Sequence, residues 1–231
     1  KFCIQKWLEK GEIERVWNFD INKLDKKKVI DIQHNILEKK GYECLSRILI
    51  EEKPSKIIIF AGYDFPRSKE AKSYFSPYAI KMNESIKSWE INCMLPLLVL
   101  QCIHENKYKG ITLTLIGSIY GERLPKVNLY SDEENIYKPV VYGMCKSALE
   151  YLNKQASITM AKIEGKSNIV RFGGIDIGID EKFKKRYEHL SPTKKMVSLN
   201  SVYKTLTFIG IKNISDMNGA VIDVDSGMRH S

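Results

Sequence analysis

The segment KIIIFAG, residues 56–62, decides the fold. After Lys56 the segment is apolar as far as Ala61, and Gly62 ends it. A short apolar run of this kind is typical of a parallel strand that is covered by helices on both faces. The segment ITLTLI, residues 111–116, has the same character and is followed by Gly117 and Ser118. Helical patterns separate such runs, and this alternation predicts an α/β protein.

The rest of the chain continues the alternation on both sides. Strands are predicted over residues 15–20, 28–32, 56–61, 111–116, 167–172 and 220–224. Helices are predicted over residues 2–10, 36–52, 84–105, 140–160 and 200–209, with a kink or local irregularity at Pro96. We therefore expect one domain, residues 1–231, built on a doubly wound parallel sheet. Ligands bind such sheets at the carboxyl ends of the strands. One rim is thus expected to hold Asp20, Asp31, Gly62, Ser118, Gly173 and Asp225.

The composition excludes several classes of protein. The 231 residues are 43% hydrophobic and 28% charged, which indicates a globular chain. No apolar run approaches the ~20 residues that span a bilayer, so no membrane contact is predicted. The lysines behind the net charge of +9 are spread along the chain, which argues against a nucleic-acid partner. The five cysteines form no C-x-x-C pair, which favours free thiols in a reducing, cytoplasmic setting. The four histidines are isolated, so no metal site is predicted.

The pattern that carries chemistry is YGMCK, residues 142–146, which places Tyr142 and Lys146 at positions i and i+4 of one helix. A phenol ordinarily ionises near pH ~10, and a nearby cation favours the phenolate, which can exchange a proton with an alcohol or carbonyl. Ser118, at the end of the neighbouring strand, could hold the same oxygen. The pair alone arises by chance on many surface helices. Asn92 adds a signal, because asparagine within a helix often has a polar role.

These residues, in this order, resemble a known family. Asn92, then IGSIYG with Ser118, then Tyr142 and Lys146 in Y-x-x-x-K resemble the catalytic tetrad of the short-chain dehydrogenases/reductases. Three other segments fall in the family's order: FAG at 60–62, NIVRFGGI at 168–175, and NG at 218–219 with VDSG at 224–227. The resemblance covers essentially the whole chain and implies a Rossmann-like fold.

The resemblance implies a role for each residue of the tetrad. Tyr142 would be the general acid/base. Lys146 would lower the pKa of the phenol and hydrogen-bond the nicotinamide ribose. Ser118 would orient the substrate oxygen, and Asn92 would hold a water molecule in a proton relay. The implied reaction is hydride transfer to or from a hydroxyl or keto carbon.

The resemblance also implies how a cofactor would be held. Asp20 would bind the adenosine ribose hydroxyls and repel a 2′-phosphate, so that NAD is preferred over NADP. Asp31 with Ile32 would contact the adenine. Ala61 and Gly62 would line the adenosine side. Gly174 and Ile175 would lie on the nicotinamide side, where the backbone of Ile175 would meet the carboxamide.

The sequence departs from the family pattern at its start. The family's first strand and its T-G-x-x-x-G-x-G loop, which receives the pyrophosphate, are absent from this chain. Residues 2–10 match the helix that follows that loop. We therefore expect an N-terminally truncated chain that lacks the phosphate-binding loop. Phe172 also replaces the family proline, and Ile177 stands where many members have a threonine.

The substrate is expected to be small and sugar-derived. The stretch 122–141 is long for the family, and residues 176–200 would form a lid whose basic side chains suit a phosphorylated or nucleotide-linked substrate, although a solvated helix face fits them equally. These features resemble the oxidoreductases of bacterial surface-glycan and flagellin modification, which act on amino-sugar precursors. Two alternatives remain: an extended-type nucleotide-sugar epimerase or dehydratase, and a non-catalytic cofactor-sensing or interaction protein. Family members are usually homodimers or homotetramers built on the helices near 88–105 and 140–160.

Overall fold

The computed structural model of the protein describes residues 1–65, 76–130, 138–212 and 214–231. Its strands are β1 (Val16–Asp20), β2 (Val29–Gln33), β3 (Lys56–Ile59), β4 (Thr112–Ser118), β5 (Lys166–Phe172) and β6 (Val221–Val224). Its α-helices are α1 (Phe2–Glu9), α2 (Lys39–Glu51), α3 (Met82–Trp89), α4 (Leu95–Glu105), α5 (Val127–Tyr130), α6 (Val140–Ala161), α7 (Glu181–Leu190) and α8 (Leu199–Leu206). Each predicted strand and each predicted helix is therefore present, with ends shifted by a few residues.

All the strand pairs are parallel, which confirms the predicted α/β class. The strands form two sheets and not the single sheet that we predicted: β1 pairs with β2, and the other four strands follow the order β3-β4-β5-β6. Within the described residues no strand joins β1 to β3, so main-chain hydrogen bonds do not cross between the two sheets. In the larger sheet β4 is central, and Leu115 of β4 lies beside Ile59 and Ile169.

Helices cover both faces of the larger sheet. Successive side chains of a strand point to opposite faces, so Ile169 and Val170 belong to two different cores. Ile169 packs in a cluster with residues of α2, α4 and α6, whereas Val170 packs with residues of α1 and α8. Trp7 fixes α1 in the second cluster, because its indole N–H donates to Thr207 Oγ1 at 2.7 Å. This arrangement is the doubly wound one that the sequence predicted.

The helix predicted over residues 84–105 is interrupted by a π-helical turn, Glu90–Met94, that joins α3 to α4. We expected the irregularity at Pro96, and it lies just before that residue. Proline has no N–H, and its ring crowds the carbonyl four residues earlier, which here belongs to Asn92. The Leu95 N–H accordingly reaches back five residues to the Glu90 carbonyl.

The stretch Met82–Glu105 is also long and apolar enough to cross a membrane, judged by length and composition alone. Core packing accounts for much of this apolar character, because Val99, Cys102 and Ile103 are buried in the cluster with β4. All five cysteines are buried free thiols, as their spacing predicted.

Candidate active site

Ser118 is the last residue of β4, and it begins the turn that leads toward α6. Its Oγ accepts a hydrogen bond from the Tyr120 N–H at 3.2 Å and so caps a 3-10 turn, Ile119–Gly121. A Cβ atom on Gly121 would lie 2.5 Å from Glu150 Oε1 and 3.0 Å from the Lys146 carbonyl oxygen. Only glycine therefore lets this turn touch α6, and that contact brings Ser118 to the Tyr142–Lys146 helix.

Lys146 is buried at the centre of the site, with 4% of its surface exposed. Its Nζ donates to the carbonyl of Ile116 at 3.0 Å. Pairing between β3 and β4 ends at Leu115, so the lysine takes the next carbonyl along β4. Burial lowers the pKa of Lys146 to about 8, against the opposing effects of Cys93 and Asp64. The ammonium is thus mostly charged at neutral pH and loses its charge as the pH rises through that value.

Tyr142 lies half-buried beside Lys146, as the i, i+4 spacing predicted. The Lys146 Nζ is 5.6 Å from the centroid of the phenol ring. The ring of Tyr120 meets Tyr142 edge-on, with centroids 6.5 Å apart. A second ammonium, that of Lys138, lies over the Tyr142 ring at 4.1 Å from its centroid. The structure therefore places the phenol next to two cations and close to the turn that Ser118 caps.

Asn92 lies in the π-helical turn and is 1% exposed. Its amide donates to the carbonyls of Tyr63 and Ser88, both at 2.9 Å, and its Oδ1 accepts from the Tyr63 N–H at 3.3 Å. Asn92 thus clamps the loop that follows β3. A Cβ atom on Gly62 would be 3.6 Å from Asn92 Oδ1 and 3.8 Å from Lys146 Nζ. Gly62, Asn92 and Lys146 therefore meet, and π-helical turns are frequent at functional sites.

Two thiols tie the π-helical turn to α6. The Cys93 thiol donates to the Cys145 carbonyl at 3.4 Å, and Ser88 Oγ lies 3.7 Å from Cys145 Sγ. The interaction of the two cysteines raises the pKa of Cys93 and lowers that of Cys145. Each cysteine is the sequence neighbour of a predicted catalytic residue, so these contacts help to align Asn92 with Lys146.

The glycine loop after β5 is shaped by Tyr187 of α7. The Tyr187 hydroxyl accepts from the Gly174 N–H at 2.9 Å and donates to the Asp225 carbonyl at 3.3 Å. A Cβ atom on Gly173 would lie 2.5 Å from this hydroxyl, and one on Gly174 would lie 2.7 Å from the ring. Ile175 forms a single parallel bridge with Val197. The two glycines are therefore required by the packing of α7, a role that sequence reasoning did not anticipate.

The residues predicted to bind adenosine fall into two groups. Asp20, Ala61 and Gly62 are exposed, whereas Asp31 and Ile32 lie within β2. Asp20 is exposed at the end of β1, where its carboxylate accepts from the Asn22 N–H at 2.8 Å. Ala61 and Gly62 are exposed just beyond β3, and Ile32 is half-buried. Asp20, Ala61 and Gly62 are thus accessible to a ligand, as the prediction requires.

Asp31 was expected on the rim with the residues that end the strands, but it lies within β2, so it was wrong to group it with them. β2 continues for two more residues, to Gln33. Its carboxylate accepts from the Leu24 N–H at 2.9 Å, the Asn18 amide at 2.7 Å and the Asp25 N–H at 3.0 Å. The bond from the Leu24 N–H contributes most to lowering the pKa of Asp31. Both carboxylate oxygens therefore hold the loop between β1 and β2.

The predicted lid contains α7, and the long insert before Tyr142 packs against it. Arg186 donates to the Leu129 carbonyl of α5 at 3.1 Å. The ring of Tyr130 lies 5.5 Å from that of Phe183, and its hydroxyl is 2.7 Å from the Tyr120 hydroxyl. The insert thus links the Ser118 turn to α7. The part of the insert over residues 131–137 lies outside the described residues.

Sequence reasoning missed three side chains that shape the site. Lys138 and Asp64 form an ion pair, and Tyr187 holds the loop after β5. No spacing rule connects residue 64 with residue 138. Lys138 is four residues before Tyr142, but Pro139 caps α6, so helical periodicity does not reach it. Within the described residues no group of three or more His, Cys, Asp or Glu side chains could hold a metal ion.

No family model and no curated protein matches the sequence. Solved structures do match it in fold. A short-chain dehydrogenase from Leptospira borgpetersenii with bound NAD+ is 18% identical, with a TM-score of 0.80 over 99% of this chain and 87% of that one. A short-chain dehydrogenase family protein from Francisella tularensis is 17% identical, with a TM-score of 0.77 over 99% and 95%. A 4-hydroxyisoleucine dehydrogenase complexed with NADH is 18% identical, with a TM-score of 0.74 over 100% and 93%. The chain therefore has the fold of the short-chain dehydrogenases.

Proposed function

We propose that the chain, as one domain over residues 1–231, is an NAD(P)-dependent oxidoreductase that moves a hydride to or from a hydroxyl or keto carbon. The observation that carries this proposal is the convergence of Tyr142, Lys146 and Asn92 beside the turn that Ser118 begins, at the carboxyl ends of β3 and β4. Ligands bind at this end of a doubly wound sheet. The NAD-bound and NADH-bound structural neighbours support the same reading.

In the proposed mechanism the protein's residues carry out the proton transfer. During oxidation the Tyr142 phenolate takes the proton of the substrate hydroxyl, and during reduction the phenol returns it. Lys146 favours the phenolate through its charge, and Ser118 holds the substrate oxygen. Asn92 would hold a water molecule of the relay, because Pro96 cannot offer an N–H to the Asn92 carbonyl. The nicotinamide, when bound, supplies the hydride chemistry.

The residues present fit a dinucleotide at several points. Gly62 is exposed and borders the side chains of Asn92 and Lys146, since a Cβ atom there would be in ordinary van der Waals contact with both. Asp20, with Asp31 and Ile32, would serve the adenosine end. Ala61 would line that side, and Gly174 with Ile175 would border the nicotinamide. Asp20 favours NAD, because its carboxylate would repel a 2′-phosphate.

We expect Asp20→Ser to change the cofactor preference. Loss of the carboxylate should raise the affinity for NADP relative to NAD by about tenfold, because the charge repulsion is removed. Calorimetric titration of the full chain with both cofactors measures the ratio. Asp216→Ser, at an exposed aspartate in another part of the chain, is the matched control. An unchanged ratio in Asp20→Ser would count against the ribose-binding role.

We infer a sugar or nucleotide-sugar precursor of surface-glycan synthesis as the substrate. Lys182 and Lys185 are exposed on α7 and could meet phosphate groups, whereas Lys184 is paired with Asp176 at 2.8 Å. The aromatic rings of Tyr120 and Tyr130 offer apolar faces beside the site. The test is turnover of nucleotide sugars and simpler hydroxy compounds, followed by the absorbance of reduced nicotinamide. Cofactor binding without turnover of any substrate would favour a sensing protein.

We also propose a homodimer or homotetramer, in the cytoplasm, that uses the outer faces of the helices around residues 88–105 and 140–160. Large apolar side chains are exposed there, at Ile86, Trp89, Met94, Leu97, Met144, Tyr151 and Ile158. Apolar patches on a folded surface mark contact sites.

Tyr151→Glu is expected to convert the oligomer into a monomer, because it puts a charge into the proposed contact. Light scattering coupled to size-exclusion chromatography measures the mass. The matched control is Ile50→Glu, which charges an exposed apolar position on α2. An unchanged mass for Tyr151→Glu would exclude this face.

A further inference from the structure

Lys138 holds its ammonium against the ring of the proposed catalytic tyrosine. It directly precedes Pro139, the N-cap residue of α6, and its side chain is only 7% exposed. The Nζ atom is 4.1 Å from the centroid of the Tyr142 ring and 6.0 Å from that of the Tyr120 ring. Lys138 is therefore closer to the phenol ring than Lys146, whose Nζ is at 5.6 Å.

A carboxylate fixes Lys138 in this position. Lys138 forms an ion pair with Asp64, which lies in the loop after β3. The residue before it, Tyr63, is the one that the Asn92 amide clamps. Lys138 is thus held between the β3 loop and the start of α6. Its side chain is not free in solvent, so the ammonium keeps its position over the Tyr142 ring.

We propose that Lys138 is a second cation of the active site, which acts through Tyr142 by stabilising its phenolate. The inference rests on the proposed function, because it assigns Lys138 a role in the proton transfer by Tyr142. A cation is attracted to the face of an aromatic ring, and the attraction grows when the ring carries the negative charge of a phenolate. The four-residue family pattern does not include this position, so the site would use two ammonium groups.

Other charged groups around Tyr142 have opposite effects on the stability of its phenolate. Asp64 opposes the phenolate, and Lys146 favours it. Tyr63 packs in the same cluster as Tyr142, its hydroxyl bonds to Glu84, and Lys87 lies over its ring at 4.8 Å. The titratable and charged groups of the described residues that face Tyr142 or its direct neighbours include Lys138, Lys146, Asp64, Tyr120, Tyr130, Tyr63, Glu84 and Lys87. Lys138 is the cation closest to the Tyr142 ring among them, so its removal should have a measurable effect.

The experiment measures the ionisation of Tyr142 directly in the full chain. Protein labelled at the ζ carbon of tyrosine is titrated by NMR, and the Tyr142 signal is the one that Tyr142→Phe removes. Lys138→Met is expected to raise the midpoint of this titration by about one pH unit. Lys138→Arg should restore most of the difference, because it keeps the charge. Should Lys138→Met not fold, Lys138→Gln replaces it.

Lys87→Met is the matched control, because it removes a cation from the neighbouring Tyr63 ring and should leave the Tyr142 midpoint unchanged. A Tyr142 midpoint that does not move in Lys138→Met or Lys138→Gln would overturn the inference. This measurement needs neither substrate nor cofactor, so it stays separate from the test of hydride transfer. Where turnover is observed, the acidic limb of the kcat/KM profile for oxidation should move upward in Lys138→Met by the same amount.

Discussion

Tyr142→Phe is expected to lower kcat/KM for hydride transfer by at least about a hundredfold, because the variant removes the only proton-exchanging oxygen of this side chain. The ring itself remains, so the edge contact with Tyr120 and the cations beside the ring keep their packing partners. Binding of cofactor should change little. Steady-state kinetics and a calorimetric cofactor titration together separate the two effects.

The matched control is Tyr108→Phe. Tyr108 lies just before β4, at the rim opposite to Ser118, and it packs against the main core. Loss of that hydroxyl should leave kcat/KM within about twofold of the parent value. If Tyr142→Phe and Tyr108→Phe retain equal activity, Tyr142 is not the acid/base and the proposed mechanism is wrong.

Arg171→Met is expected to lower the free energy of unfolding by about 3–5 kcal/mol, the usual effect of breaking a buried ion pair from one side. Arg171 lies on β5, and its guanidinium binds Glu150 through two hydrogen bonds of 2.7 Å. It also contacts Glu122 at 2.9 Å and Asp223 at 3.4 Å. Without the arginine, the buried Glu150 carboxylate of α6 loses its main partner.

Urea denaturation of both proteins measures this difference. Arg15→Met is the matched control, because the Arg15–Glu52 pair is exposed and exposed pairs contribute about 0–1 kcal/mol. The double variant Arg171→Met with Glu150→Gln should recover part of the loss, since it removes the uncompensated charge. A loss below about 1 kcal/mol in Arg171→Met would mean that water or the neighbouring Arg229 replaces the missing cation.

Local patterns predicted the strands and the Tyr142–Lys146 pair well, because both depend on short-range periodicity. Uniformly apolar runs such as KIIIFA identify buried strands, and i, i+4 spacing puts two side chains on one helix face. The end of β2 was predicted one residue too early, at Ile32, and Asp31 was assigned to the rim, because a polar residue that satisfies loop N–H groups resembles one that ends a strand.

Long-range features could not be predicted in this way. The separation of the strands into two sheets depends on which strands lie side by side, and the sequence pattern alone does not encode that. The contacts of Lys138 with Asp64, and of Tyr187 with Gly174, join residues from distant parts of the chain. To predict the π-helical turn, one would have to know how a proline strains the turn before it. Pro96 did correctly indicate that the helix is irregular near this position.

Tyr187 has a kinetic consequence for an enzyme that uses α7 as a lid. Tyr187 is 1% exposed, and burial raises the pKa of its hydroxyl to about 12, so the phenol stays neutral. Its hydroxyl accepts one hydrogen bond and donates another. For α7 to swing open, the ring must leave its pocket, and the bonds to Gly174 and Asp225 must break together. In many enzymes the opening of a lid, and not the chemical step, sets the turnover rate. Each opening would also loosen the loop that borders the nicotinamide, so that the exit of product and the exchange of cofactor become one event.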